Sequence, residues 1–193
     1  MPKPNVRDQI INASLATLHS KGFNATSVQD ITDAAGVPKG SFYNHFASKE
    51  ILGVEVVKLY SEVSAQRFLQ PLQDPALAPL ARIEHYFRGL VQGNVEHEFL
   101  CGCLLGNFST ELAAQSPMIR DQLEQAFRDW SAVLAKAIAQ AQQDGSVPAT
   151  EPAAELADAI INAWQGAVAR SKAAHSRAPL DLFMKTLMTK LLK

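Results

Sequence analysis

Apolar residues return every third or fourth position along almost the whole chain, and that regularity decides the fold class. Ile10, Ile11, Ser14, Leu15 and Leu18 make one stripe. Ile83, Phe87, Leu90 and Val91 make another, and Ile119, Leu123, Phe127, Trp130, Leu134 and Ile138 a third. A period of 3.6 gathers such residues on one side of a helix, whereas a half-buried strand alternates with a period of two. Glycine is scarce and β-branched residues do not cluster, so the chain is expected to be all-α.

Local signals divide it into helices. Gly22 stops the first. Thr26 and Ser27, followed three residues on by Gln29 and Asp30, form a capping-box pattern that opens a short second helix, ended by Gly36. Val37-Pro38 reopens the chain, proline suiting a first helical position, and a single short element, Lys39 to Phe46, follows. Ser48 caps a long helix expected from Lys49 to about Gln70 and stopped by Pro71. Pro79 opens a helix to about Glu98, and a Gly/Cys-rich joint, Leu100 to Gly106, precedes a short helix near Phe108 to Ala114. Ser116-Pro117 begins a long helix that Asp144-Gly145 ends. Thr150 and Pro152 start another, with Leu156, Ile160, Trp164 and Ala167 on one face. Ala178-Pro179 leads into the last, carrying Leu180, Phe183, Leu187 and Leu191.

Composition excludes several classes. No apolar run approaches the roughly 20 residues of a membrane span. Met1 to Leu18 is broken by polar residues every few positions, unlike a secretory signal. Cys101 and Cys103 stand too close for a disulfide across a fold and are too few for a metal cage, so a reducing cytoplasm is expected, without metal or cofactor. Eighteen basic against nineteen acidic residues do not announce a nucleic-acid binder. Residues 1–49 are mildly basic, with Lys3, Arg7, Lys21, Lys39 and Lys49 against Asp8, Asp30 and Asp33. Any phosphate-binding surface is therefore small, local and N-terminal.

Two short helices joined by a glycine turn form a helix-turn-helix unit, whose second helix enters the major groove. Ile31, Ala34, Val37, Phe42 and Phe46 are expected to face inward. Lys39, Gly40, Ser41, Tyr43, Asn44 and His45 then lie outside, and hydroxyls, an amide, an imidazole and one lysine suit base edges and phosphates. Taken one at a time, these residues are as well explained by capping and ordinary surface. It is their concentration in one window that argues for a site. His19 and His85 read as plain helix-surface residues.

The stretch Arg7 to Leu52 carries Gly22-Phe23, Thr26-Ser27-Val28, Asp30-Ile31, Ala35-Gly36-Val37, Lys39-Gly40-Ser41, Tyr43, His45-Phe46 and Ser48-Lys49-Glu50. It resembles the DNA-binding domain of TetR-family transcriptional repressors. The resemblance implies a helix-turn-helix domain over residues 1–48 and a helical effector-binding and dimerisation domain over 49–193. It also implies a homodimer on palindromic operator DNA, released by a small-molecule effector. Carried over, Thr26 and Ser27 touch phosphate, Lys39, Gly40 and Ser41 lie at the groove, and Asn44 and His45 read bases. Tyr43 reaches a phosphate and Lys49 meets the backbone as a point charge. Pro38 departs from the pattern, standing where a hydroxyl cap is common.

Gly102-Cys103-Leu104-Leu105-Gly106-Asn107 with Glu111, and Trp164-Gln165-Gly166-Ala167 with Lys172, are similar to the NemR- and AcuR-type branch of that family. That branch responds to electrophiles or small unsaturated acids. Two sensing modes follow. Phe87, Phe108, Phe127, Trp130 and Trp164 either line an effector pocket or fill the core, the two indoles being the best pocket candidates. Cys103, near a helix start and approached by Lys172 if the helix bearing Trp164 packs alongside, is either a reactive thiol or an inert core residue. Ile160, Ala163, Ala167, Phe183 and Leu187 belong to two stripes that either pair across a two-fold or are internal. A Cys/His hydrolase on Cys103 and His97 has no supporting motif, nor does any other enzyme class. A helical adaptor that binds protein rather than DNA is the alternative that near-neutral charge favours.

Overall fold

The computed structural model describes residues 5–193, and of residues 67 and 68 the backbone alone. Lys3, counted above among the N-terminal basic residues, lies outside them. The described residues contain no strand. Among the described residues nine α-helices follow one another: α1 (Val6–Lys21), α2 (Val28–Ala35), α3 (Lys39–His45), α4 (Lys49–Ser64), α5 (Pro79–Glu96), α6 (Leu104–Leu112), α7 (Pro117–Gln143), α8 (Ala153–Ala174) and α9 (Ala178–Thr186). They form two compact units. The first joins the described residues through Val63 with Cys103–Ala126; the second joins Ser64–Gly102 with Phe127–Lys193.

In the first unit the stripes close on one core. Ile10 and Leu18 of α1, Ile31 of α2, Phe42 of α3, and Leu52 and Val56 of α4 are buried, as are Leu104 and Phe108 of α6 and Ile119 of α7. Each such side chain contributes about 1.5–3 kcal/mol by leaving water. Phe23, in the α1–α2 turn, meets Phe108 edge-on with centroids 5.6 Å apart. α4 passes closely here: a Cβ on Gly53 would lie 2.9 Å from the Phe23 ring and 3.1 Å from Ile119. Ala34, expected inside, is exposed, because the inward side of α2 is the one that carries Ile31 and Thr32.

The second unit is organised round an aromatic cluster. Phe87 of α5, Trp164 of α8 and Phe183 of α9 lie within 5.1–5.6 Å of one another, and Tyr86 adds a fourth ring against Phe87. Leu134 and Ile138 of α7, Ile160 of α8 and Leu187 complete the packing.

Two boundaries differ from the sequence reading. The α-helical part of α4 stops at Ser64, continuing as a π turn over Ala65–Leu69 and a 3-10 turn over Gln70–Gln73. A proline ring clashes with the carbonyl four residues earlier, so the helix leaves regular geometry before Pro71 rather than at it. α6 starts at Leu104, not near Phe108. Gly102 adopts φ +69°, Cys103 is extended as N-cap, and the helix begins directly afterwards.

Candidate functional site

The helix-turn-helix is built by its caps. The Ser27 hydroxyl accepts from the Asp30 amide while the Asp30 carboxylate accepts from the Ser27 amide, which completes the expected capping box. At the other end Gly36 takes φ +66°, its amide bonding to Thr32 and Asp33 and the Val37 amide reaching the Thr32 carbonyl at 3.0 Å. This Schellman-type stop sets the turn into α3. Pro38 is the N-cap of α3 and supplies no side-chain cap.

α3 is amphipathic in the required sense. Phe42 and the following Phe46 are buried, their rings 5.5 Å apart, and they pin the helix to its unit. Lys39, Gly40, Tyr43, Asn44 and His45 are exposed and Ser41 is half-buried. Tyr43 is 59% exposed although its ring meets Phe42 edge-on at 5.2 Å, so the phenol leans on the core while its hydroxyl end is open.

Three of the expected phosphate contacts are otherwise engaged. Thr26 is buried, its hydroxyl donating to the Gly22 carbonyl at 2.7 Å. Lys49 turns inward: its ammonium donates to the Phe23 and Thr26 carbonyls at 2.8 and 2.7 Å and lies 4.3 Å from the Phe23 ring centroid. Burial lowers its pKa, opposed by the nearby Glu111 carboxylate. Lys49 therefore ties the α1–α2 turn to α4, its ammonium engaged by backbone carbonyls rather than extended into solvent. Ser27 is exposed, but its hydroxyl serves Asp30, whose carboxylate occupies the amino end of α2 where an anion was expected. Hydrogen bonds from the Ser27 hydroxyl and then its amide hold Asp30 below the usual carboxylate range.

The sequence reading missed two contacts in this unit. Arg7 pairs with Glu55 of α4 and lies over the Phe46 ring. Glu111 of α6 accepts from the Asn24 amide at 3.0 Å. No local pattern announces either, because each joins residues that are remote in sequence.

The expected sensor residues are distributed. Cys103 is 9% exposed, with the Tyr60 hydroxyl 3.7 Å from its Sγ. Tyr60 stands four residues beyond Val56 on α4, so its inward side was readable from the stripe. Neither Cys103 nor Cys101 is in a disulfide. Phe108, Phe87 and Trp164 are buried. Phe127 and Trp130 differ: both are only half-buried, with near-parallel rings 6.3 Å apart. Lys172 is exposed on α8. Ile160, Phe183 and Leu187, expected across a two-fold, are buried within their own unit, because α8 and α9 turn these sides to α5 and to each other. Ala163 is exposed and Ala167 half-buried.

Comparison with known proteins agrees with this architecture. Residues 10–56 match the family model for bacterial regulatory proteins of the tetR family, and residues 79–187 match the tetracyclin repressor-like C-terminal domain. The chain is 35% identical to the HTH-type transcriptional repressor DhaR of Mycobacterium sp. (strain GP1), over the whole chain and 95% of that protein. It is 34% identical to the transcriptional regulator AcuR of Cereibacter sphaeroides, over 92% of the chain and 81% of the relative. The crystal structure of reduced Escherichia coli NemR superposes with a TM-score of 0.85 at 25% identity, covering 94% of this chain and 95% of that one. The chain belongs to the TetR family of helix-turn-helix transcriptional repressors.

Proposed function

We propose that this repressor binds a palindromic operator as a two-fold dimer and leaves it when a small-molecule effector occupies the C-terminal domain. One observation carries the reading: α3 presents Lys39, Gly40, Ser41, Tyr43, Asn44 and His45 on the side opposite buried Phe42 and Phe46. Asn44 and His45 read base edges; Lys39, Ser41 and Tyr43 contact phosphate, and Gly40 lets the backbone approach. Thr26, Ser27 and Lys49 support this face from behind. The dimer face is the outer side of α8, where Ala159, Ala163 and Gly166 are exposed and small, together with Leu182 of α9. Four such helices meet as a bundle, placing two reading helices one duplex turn apart.

Effector occupancy shifts the population of domain arrangements until the half-sites no longer match. A coupling of about 1–3 kcal/mol changes operator affinity roughly 5–150-fold. Cys103 is the candidate thiol sensor, at the start of α6 beside Tyr60. As a DNA-binding regulator the protein works in the cytoplasm and is not an enzyme. A gel shift against the DNA upstream of its own gene tests the reading. Retardation that Asn44→Ala abolishes, with the fold intact, supports it; no retardation at micromolar protein overturns it. Limited labelling with N-ethylmaleimide, read by mass spectrometry, tests the thiol: absence of preferential modification at Cys103 removes that mode.

A further inference from the structure

The reading helix α3 has few fastenings of its own. At seven residues it is shorter than a helix that stands alone, and Pro38 gives its amino end no side-chain cap. Phe42 pins it, and so does Phe46 at its carboxyl end, whose extended backbone returns its amide to the Phe42 carbonyl at 2.9 Å. Phe46 is 1% exposed, and the guanidinium of Arg7, from the first turn of α1, lies over its ring at 5.6 Å from the centroid.

The same guanidinium is held by α4. Its Nη2 donates to Oε2 of Glu55, while the Lys58 ammonium donates to the other oxygen, Oε1, at 3.0 Å. Lys58 first, and Arg7 after it, keep the Glu55 carboxyl below its usual range against the opposing effect of burial. The neighbouring Asp8 carboxylate is 4.0 Å from Arg7. Arg7 and Glu55 are both half-buried. One flat group thus joins α1 to the acid of α4 and to the ring that ends α3. A planar guanidinium can pair with a carboxylate and meet an aromatic face at once, which a compact ammonium does poorly.

We infer that Arg7 is a positioning residue for operator recognition: clamped by Glu55, its guanidinium fixes the carboxyl end of α3 through Phe46 and acts through that ring rather than on phosphate. Its effect on operator binding rests on the repressor reading above; the clamp on α3 does not.

Three full-length variants separate positioning from charge. Arg7→Lys keeps the charge and loses the plane, Arg7→Gln loses both, and Glu55→Gln removes an anion from the DNA-binding unit. A phosphate contact would survive Arg7→Lys, and bare electrostatics would let Glu55→Gln bind more tightly. The clamp predicts the opposite for both. Each variant should weaken operator binding by about three- to tenfold in fluorescence anisotropy, at a temperature where circular dichroism shows it folded. Arg7→Gln combined with Glu55→Gln should bind no more weakly than Arg7→Gln alone, because the two residues act as one pair. The slope of log affinity against log salt should stay that of the unsubstituted protein. In hydrogen exchange read by ¹H–¹⁵N spectra without DNA, the Phe46 amide should exchange about threefold faster or more in each variant, while the Ile31 amide of α2 keeps its rate.

Full operator affinity in Arg7→Lys, tighter binding by Glu55→Gln, or a slope shallower by about 2 in Arg7→Gln, one phosphate from each protomer, overturns the inference. An unchanged Phe46 amide overturns it whatever the DNA result. Failure of the unsubstituted protein to bind operator strikes the repressor reading, and the exchange measurement still decides the clamp.

Discussion

A lysine ammonium held by two backbone carbonyls and an aromatic face is a fastening. Lys49 closes the turn between α1 and α2 onto the first residue of α4, and the Glu111 carboxylate grips the neighbouring Asn24 amide from α6. Hydrogen bonds to charged groups contribute about 1.5–3 kcal/mol each, more than neutral ones. Lys49→Met should therefore lower unfolding stability by about 2 kcal/mol in urea titrations. It should leave the salt dependence of operator binding unchanged, because no phosphate contact is lost. Tyr43→Phe should do the reverse, keeping stability and weakening operator binding measured by fluorescence anisotropy. The capping pair gives a pH-dependent case. Asp30 titrates below its ordinary value because Ser27 donates to its carboxylate. Its contribution is complete above the unfolded value and disappears as pH falls through the folded one. Ser27→Ala should thus lower the melting temperature by a few degrees at neutral pH, with the gap to the unsubstituted protein narrowing below about pH 4.

Among the helices, α4 and α5 show what glycine does in each setting. Gly53 on α4 has no room for a Cβ, with Phe23 and Ile119 against it, whereas Gly89 on α5 faces open space. Alanine is the better helix former at both, by about 1 kcal/mol. At Gly53 crowding outweighs that gain: Gly53→Ala should lower stability by about 1–3 kcal/mol, and Gly89→Ala should raise it by up to about 1 kcal/mol, both read from chemical denaturation. The same contrast explains what the sequence disclosed. Helix starts at Ser27 and Pro79 and stops at Gly22 and Gly36 are written locally, in residues whose conformation or side chain closes the end, so these boundaries and the exposed side of α3 could be read directly. Lys49 could not, because a lysine at a helix start looks the same whether it faces solvent or the carbonyls of Phe23 and Thr26, which lie more than twenty residues earlier. Likewise the periodicity found Ile160, Phe183 and Leu187 as apolar stripes but carried no information on whether the covering surface is α5 or a second copy.

For the molecule as a whole, charge sets the affinity for DNA. Among the described residues of the first three helices, Arg7 is paired with Glu55 and Lys21 lies 3.5 Å from Asp30, which leaves Lys39 as the cation on the reading face. On the proposed dimer one protomer then neutralises few phosphates, and most contacts come from hydroxyls, amides and the duplication that a two-fold would supply. Binding should accordingly depend on the dimer. Leu182 is 62% exposed, so Leu182→Glu should leave the protomer folded by circular dichroism, yield protomers in sedimentation and lose operator binding. Salt dependence follows from the same count. Each neutralised phosphate contributes about −0.9 to the slope of log affinity against log salt, so two protomers with about one to three contacts each give a slope of about −2 to −5. Titrating operator binding between low and physiological salt measures it directly. A slope near −10 would require cations that this surface lacks, and would mean that a face other than α3 meets the duplex.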